Sequence, residues 1–232
     1  MYTLGPVSGS HLNPAVTLGA FLSGQALPSK PASTARPKCC DHLHVSGRIG
    51  RAKLGGVNSE RSLGFDVRRH SPVDGLGLAD RIWPCYDEAF GDFSDFETWR
   101  DDLFARHATR SGYRLVVATE GATVAGFSWG YIGERGQYWT DLAYDALPGP
   151  VADEWVGGHF EFVELAVAPK FRRRGLGRRL HDTLLDGIGQ RALLSTTDDP
   201  ADPAVQLYLN SGWRKLGLLR PGTQIMGRLA PQ

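Results

Sequence analysis

The sequence predicts a mixed α/β (α+β) domain in which helices flank a largely antiparallel central sheet. Three observations predict it. Helical and strand periods alternate from Gly64 to the end of the chain. Two successive strand patterns meet at Glu120-Gly121-Ala122, a hairpin signal. One strand–helix–strand unit runs from His159 to Thr197, so a parallel pair is expected beside the antiparallel ones.

Phe65–Arg69 reads as a short strand. Residues 74–90 and 94–108 are helical by apolar spacing, the second with Ser94 as its cap and Glu97 three residues on. Arg114–Glu120 and Thr123–Gly133 are the hairpin strands. Residues 134–158 hold turn residues and aromatics without a clear period. His159–Ala168 is a strand of buried type, stopped by Pro169. Gly175–Ile188 is a helix, with Leu176, Leu180, Leu184 and Ile188 along one stripe. Arg191–Thr197 is a strand, residues 203–211 a short helix, and Trp213–Leu219 and Gln224–Leu229 the last two strands.

The 232 residues carry a formal net charge of +1, with 41% hydrophobic and 22% charged residues. That is ordinary globular composition, and it argues against a general nucleic-acid or anionic-membrane partner. Any anion site must be local. Cys39, Cys40 and Cys85 make no disulfide framework, so a reducing, cytoplasmic setting is expected. No charged and apolar leader pattern is seen at the N-terminus. Residues 1–27 are nearly uncharged. Residues 28–62 combine Pro28, Pro31 and Pro37 with basic residues and no sustained period, and read as a disordered basic linker. The folded domain is expected over residues 63–232.

Arg172-Arg173-Arg174-Gly175-Leu176-Gly177 follows a strand and opens a helix. Physically this is an anion site. The first N–H groups of a helix have no intrahelical partner and lie at its positive pole. Gly175 and Gly177 lack Cβ atoms, so a diphosphate can approach the backbone. Arg178 and Arg179 add charge. Spacing alone also fits a glycine-rich turn with a solvated basic helix start, and the third glycine of a dinucleotide pattern is replaced by Leu180.

Arg172-x-x-Gly175-x-Gly177 after Leu165-Ala166-Val167-x-Pro169 resembles the coenzyme A signature of the GCN5-related N-acetyltransferase (GNAT) superfamily. A second element, Ala204-Val-Gln-Leu-Tyr208-Leu-Asn-Ser-Gly212-Trp213, resembles that family's Ala-x-x-Leu-Tyr-x-x-x-Gly-Phe, with Trp in the aromatic place. The resemblance covers residues 64–230. Many members carry Asn seven residues before the tyrosine; here Ala201 stands there, with Asp202 next.

The resemblance implies the GNAT acyl-CoA acyltransferase fold and acetyl-CoA as co-substrate, without a metal. Backbone groups of Leu165, Ala166 and Val167 would bind the pantetheine arm, and amides of Arg172, Arg173, Arg174, Gly175, Leu176, Gly177 and Arg178 the diphosphate. Tyr208 would be the general acid that protonates the departing thiolate; its other reading is an aromatic anchor for the short helix. The acceptor would be a small-molecule amine, a peptide N-terminus or a lysine, and a homodimer stays open. Glu161 and Glu164 are the candidate bases, and structural ion pairs are the alternative for both. Strand alternation puts Glu161 with Val163 and Glu164 on the opposite face with Phe162.

Trp129, Tyr131, Tyr138, Trp139, Tyr144 and Trp155, with nearby carboxylates, suit a cationic amine or pack an insertion on the sheet. Phe96, Trp99 and Phe104 would form a second wall. Near the N-terminus, Asn13-Pro14-Ala15 resembles an aquaporin half-helix over residues 2–24, far too short for a channel. Cys39-Cys40-Asp41-His42-Leu43-His44 lacks zinc-site spacing, so no metal site is expected there.

Overall fold

The computed structural model describes residues 64–230. The aquaporin-like fragment, the basic linker and the Cys39–His44 cluster lie outside the described residues. Seven strands form one sheet: β1 (Asp66–His70), β2 (Arg114–Glu120), β3 (Thr123–Gly133), β4 (His159–Val167), β5 (Ala192–Thr197), β6 (Arg214–Arg220) and β7 (Thr223–Arg228). Their order is β1-β2-β3-β4-β5-β7-β6, and only β4 and β5 pair in parallel. The predicted fold class is thus observed. The β2–β3 turn is tight because Gly121 takes φ of +62°, which side chains disfavour.

The first predicted helix is two pieces, α1 (Pro72–Leu76) and α2 (Ala79–Ala89). Ser71 caps α1, its side chain accepting from the Asp74 amide, and Pro72 sits where a missing N–H costs nothing. The second predicted helix runs as α3 (Phe96–Trp99), one π turn (Arg100–Phe104) and α4 (Ala105–Ala108). Its cap is Asp95, not Ser94: the Asp95 carboxylate accepts from the Thr98 amide at 2.8 Å, and Ser94 donates to that carboxylate. Residues 134–158 also contain two helices that the sequence did not reveal, α5 (Tyr138–Ala146) and α6 (Gly149–Trp155).

Leu180 and Leu184 of α7 (Leu176–Leu185) are fully buried against the β1–β4 half of the sheet. The helix ends at Leu185, before the predicted Ile188. Its C-terminal carbonyls are held by cations from two strands: Arg69 donates to Thr183 O at 2.9 Å, and Arg114 to Asp186 O at 2.7 Å. Positive charge there suits the negative pole of the helix. On the opposite face, Tyr86 of α2 stacks 6.4 Å from Trp129, and Phe104 lies 5.4 Å from it. A smaller core gathers Trp139, Ala143, Trp155, Leu193 and Ile225 under α5 and α6. Last comes α8 (Pro203–Leu209), capped by Asp202, whose carboxylate accepts from the Ala204 amide at 2.7 Å. Asp202, beside the place where the family pattern has Asn, is therefore a helix cap.

Candidate active site

The site is organised by an irregularity in β4. Against β3 the register runs Gly126↔Val167 to Trp129↔Glu164, then steps over Val163 to Gly130↔Phe162 and Tyr131↔Glu161. Val163 is the extra residue of a β-bulge, which bends the strand and resets the alternation. Trp129 and Tyr131 lie two residues apart on one face of β3, so their partners Glu164 and Glu161 share that face. The expected opposite placement of the two glutamates is corrected by this one residue. Gly130 permits the close approach: a Cβ there would stand 2.4 Å from Glu161 O and 2.6 Å from the Phe160 ring.

The same bend limits the parallel ladder. β4 and β5 share only Phe160↔Ala192 and Glu161↔Leu193. Beyond Glu161 the register with β5 ends, while β4 continues to Val167. Ala168 N donates to Ala125 O on β3 at 3.0 Å. Alternation then turns the Ala166 amide toward β3, and the amides of Leu165 and Val167 toward the side of β5. An edge of this kind can take an extended ligand as an added strand.

At the end of that edge lies the arginine–glycine turn. Gly175 has φ of +75°, and Arg173, with φ of +64°, is the one non-glycine residue with positive φ among the described residues. A bulky residue held there is strained, and such strain clusters at ligand sites. The first backbone bond of the helix is Arg179 N to Gly175 O at 3.2 Å. Among the described residues no backbone carbonyl accepts from the amides of 173–178, so they form a concave set of donors at the positive pole of α7. A Cβ on Gly175 would meet nothing within 4 Å, so the approach is open.

Several arginine side chains in the turn are engaged elsewhere. Arg172 Nε donates to Val167 O at 3.0 Å, which ties the turn to the strand edge. Arg174 pairs with Glu120 at 2.9 Å and lies 4.4 Å over the Phe65 ring. Arg178 reaches Asp182 at 2.9 Å. Arg179 donates to Phe65 O at 3.1 Å. Among the described residues, the donors of this turn that are not engaged elsewhere are therefore mainly backbone amides.

Glu161 is 4% exposed. Its Oε1 accepts from the Tyr131 hydroxyl at 3.0 Å and its Oε2 from Thr140 at 3.4 Å. Burial pushes its acid up to about 7; the two hydroxyls and the Arg110 cation pull the other way. Glu164 is fully buried, and among the described residues neither carboxyl oxygen has a hydrogen-bond partner. Burial, and then the charge of Asp92, raise its acid well above the usual range. Asp92 itself is raised to about 6, chiefly by burial, despite accepting from Tyr86 at 3.5 Å. Tyr208 is buried within 6.1 Å of the Phe162 ring. Burial, then the charges of Glu164 and Asp202, raise its phenol, so it stays protonated.

Thr140, Asp92, Tyr86 and His107 join this site without a signal in the sequence. Trp129 Nε1 donates to His107 Nδ1 at 3.3 Å, and the His107 ring lies 5.2 Å from Tyr131. Burial first, then Arg110 and Arg106, lower His107 to about 3 and keep it neutral. Of the sequence's aromatic set, Trp129 and Tyr131 stand with the glutamates, whereas Trp139 and Trp155 pack the smaller core. Trp99 and Phe104 are buried core residues, and Asp101 pairs with Arg100 on the surface. Among the described residues no cluster of three or more His, Cys, Asp or Glu could hold a metal, and no helix is long and apolar enough to cross a membrane. Cys85 is buried.

The arrangement is a strand edge that ends in a set of backbone donors at a helix start, with two buried carboxyls on the same strand and a buried phenol on α8. The chain belongs to the acetyltransferase (GNAT) family, whose model matches residues 76–213, and the family makes it an acyltransferase. It is 28% identical over 147 residues to a GCN5-like protein acetyltransferase of Mycobacterium tuberculosis, covering 50% of this chain and 71% of that one. Similar solved structures include the PaiA N-acetyltransferase of Thermoplasma acidophilum in complex with coenzyme A, at 14% identity and a TM-score of 0.46, over 72% of this chain and 99% of that one. Another is the ribosomal-protein-S18-alanine N-acetyltransferase of Escherichia coli, at 16% identity and a TM-score of 0.49, over 73% and 96%.

Proposed function

We propose that the chain transfers the acetyl group of acetyl-CoA to a primary amine by direct attack. The observation that carries this reading is the continuity of the β4 edge with the amide cradle at Arg173–Arg178. The Leu165 and Val167 amides suit a pantetheine arm, and the cradle suits the diphosphate beyond it. In the reaction the acceptor ammonium first loses a proton to Glu161. The amine nitrogen then attacks the acetyl carbon. The carbon–sulfur bond breaks as the tetrahedral intermediate collapses and Tyr208 gives its proton to the thiolate. The nitrogen sheds its extra proton to water to leave the neutral amide, Tyr208 regains a proton from water, and Glu161 releases the one it took.

Glu161 is favoured as the base because an acid near 7 is half ionised at neutral pH, and the Tyr131 and Thr140 hydroxyls orient its oxygens. Glu164, without a donor to its oxygens, holds its proton more firmly and is the second candidate. The acceptor class includes small amines, peptide N-termini and lysines. The folded catalytic unit in this reading is residues 63–232 in a cytoplasmic setting, and residues 1–62 are dispensable for it.

The test is thiol release from acetyl-CoA across an amine panel of polyamines, aminoglycosides, amino acids and N-terminal peptides. Amine-dependent release from at least one class supports the reading. Saturable acetyl-CoA binding with no release from any amine would replace it by a coenzyme-binding module without catalysis.

A further inference from the structure

Trp213 stands where the family pattern has Phe, and an indole brings a donor that a phenyl ring lacks. In the interior that donor needs an acceptor. It finds one on α7: Trp213 Nε1 donates to His181 Nε2 at 2.9 Å, and both residues are buried. An indole N–H can only donate, so His181 Nε2 must be the bare nitrogen, and Nδ1 carries the proton. That proton goes to Asp182 Oδ1 at 2.7 Å. Asp182 Oδ2 in turn accepts from Arg178 Nε at 2.9 Å, and Arg178 donates to Asn210 O at 3.2 Å.

These bonds close a ring between two elements. Arg178, His181 and Asp182 lie on α7, whose first turn is the amide cradle. Asn210 and Trp213 lie just after α8, which carries Tyr208. The Trp213 amide also donates to Tyr208 O at 3.1 Å, so the anchor of the indole is an anchor of the Tyr208 backbone. The His181 ring lies 6.2 Å from the Tyr208 ring, and Phe162 lies 5.6 Å from His181. The charged groups acting on His181 are Asp182 and Arg178 from α7 and Arg228 from β7.

We propose that His181 is a positioning residue: by accepting from Trp213 and donating to Asp182, it locks the corner that carries Tyr208 to the helix that opens the diphosphate cradle. This rests on the reading of the cradle and of Tyr208 given above. A second proton on His181 would set an N–H against the indole N–H, so the lock holds only with a neutral ring.

The test uses the full chain with His181→Leu, His181→Gln, Trp213→Phe and the double variant His181→Leu/Trp213→Phe. Turnover by thiol release, acetyl-CoA dissociation by calorimetry and melting temperature are measured for each. His181→Leu leaves a buried indole donor without an acceptor. It should lower kcat about tenfold, the equivalent of about 1.4 kcal/mol in the barrier, with acetyl-CoA affinity within about threefold. His181→Gln, whose amide oxygen can accept from the indole, should recover most of that loss, whereas the double variant, which has no bond across the corner, should stay about as slow as His181→Leu. Should His181→Leu not fold, Trp213→Phe carries the test, with a similar fall in kcat and retained acetyl-CoA binding. The proposal is overturned if these single variants melt lower yet turn over normally at a temperature where they are folded. It is equally overturned if His181→Gln is no better than His181→Leu, or if the double variant, which has no such bond, turns over normally. Failure of the unaltered protein to bind acetyl-CoA would instead remove the underlying reading of the site.

Discussion

Replacing Glu161 by Gln should separate activity from stability. The carboxyl is buried, and burial lifts its acid from 4.5 to about 7. In the unfolded chain the same group ionises near 4.5. A carboxyl raised by folding supports the fold fully below about pH 4.5 and loses that support as pH rises through about 7. The gap of about 2.5 pH units, at about 1.4 kcal/mol each, makes the loss about 3.5 kcal/mol by pH 8.5. Gln cannot ionise, and its amide can still accept from Tyr131. The variant should therefore melt about 7–14 °C above the unaltered protein at pH 8.5, and the difference should shrink to about a quarter of that at pH 5. Its turnover should fall about 10²- to 10⁴-fold, the range set by loss of a general base. Calorimetric melting at the two pH values and thiol release at pH 8.5 measure both effects. A melting difference equal at pH 5 and 8.5 would refute the raised acid, and normal turnover would refute the base.

Three further outcomes follow from the geometry. Unaltered protein should lose kcat/KM as pH falls below about 7, where Glu161 gains its proton; a profile flat down to pH 5.5 in a pH-rate series would contradict this. Tyr208→Phe should lower kcat at least tenfold while acetyl-CoA affinity stays within about threefold, read from steady-state kinetics and calorimetry. Gly175→Val places a β-branched residue at φ of +75°. It should cost about 1–3 kcal/mol of stability and weaken acetyl-CoA binding more than amine binding, checked by melting and titration.

The sequence carried the strands well because their boundaries are written in residues that act locally. Pro169 ends β4, and Gly121 makes the hairpin. The glycine turn at the start of α7 was legible for the same reason, since Gly175 and a basic helix start are adjacent in the chain. The sequence did not carry the bulge. No residue type marks Val163 as the extra one, because the bulge arises from how β4 packs against β3 at Gly130. That single step decides which face holds Glu164. Helix α5 was hidden for a related reason: Trp139, Ala143 and Leu147 do recur at helical spacing, but the helix is short and lies among turn residues. Thr140, Asp92 and His107 reach Glu161, Glu164 and Trp129 only through tertiary packing. Ser94 and Asp95 are both good caps, and it is Asp95, in extended backbone just before α3, whose carboxylate takes the Thr98 amide.

In the proposed reaction the β4 edge and the Gly175 turn hold an acyl-CoA. Titration of acetyl-CoA into the unaltered chain by calorimetry, with melting measured alongside, tests it most directly. One-to-one saturable binding is predicted, with stabilisation of about 2.7 kcal/mol when acetyl-CoA is present at 100 times its dissociation constant. No binding heat and no rise in melting temperature at millimolar acetyl-CoA would contradict it.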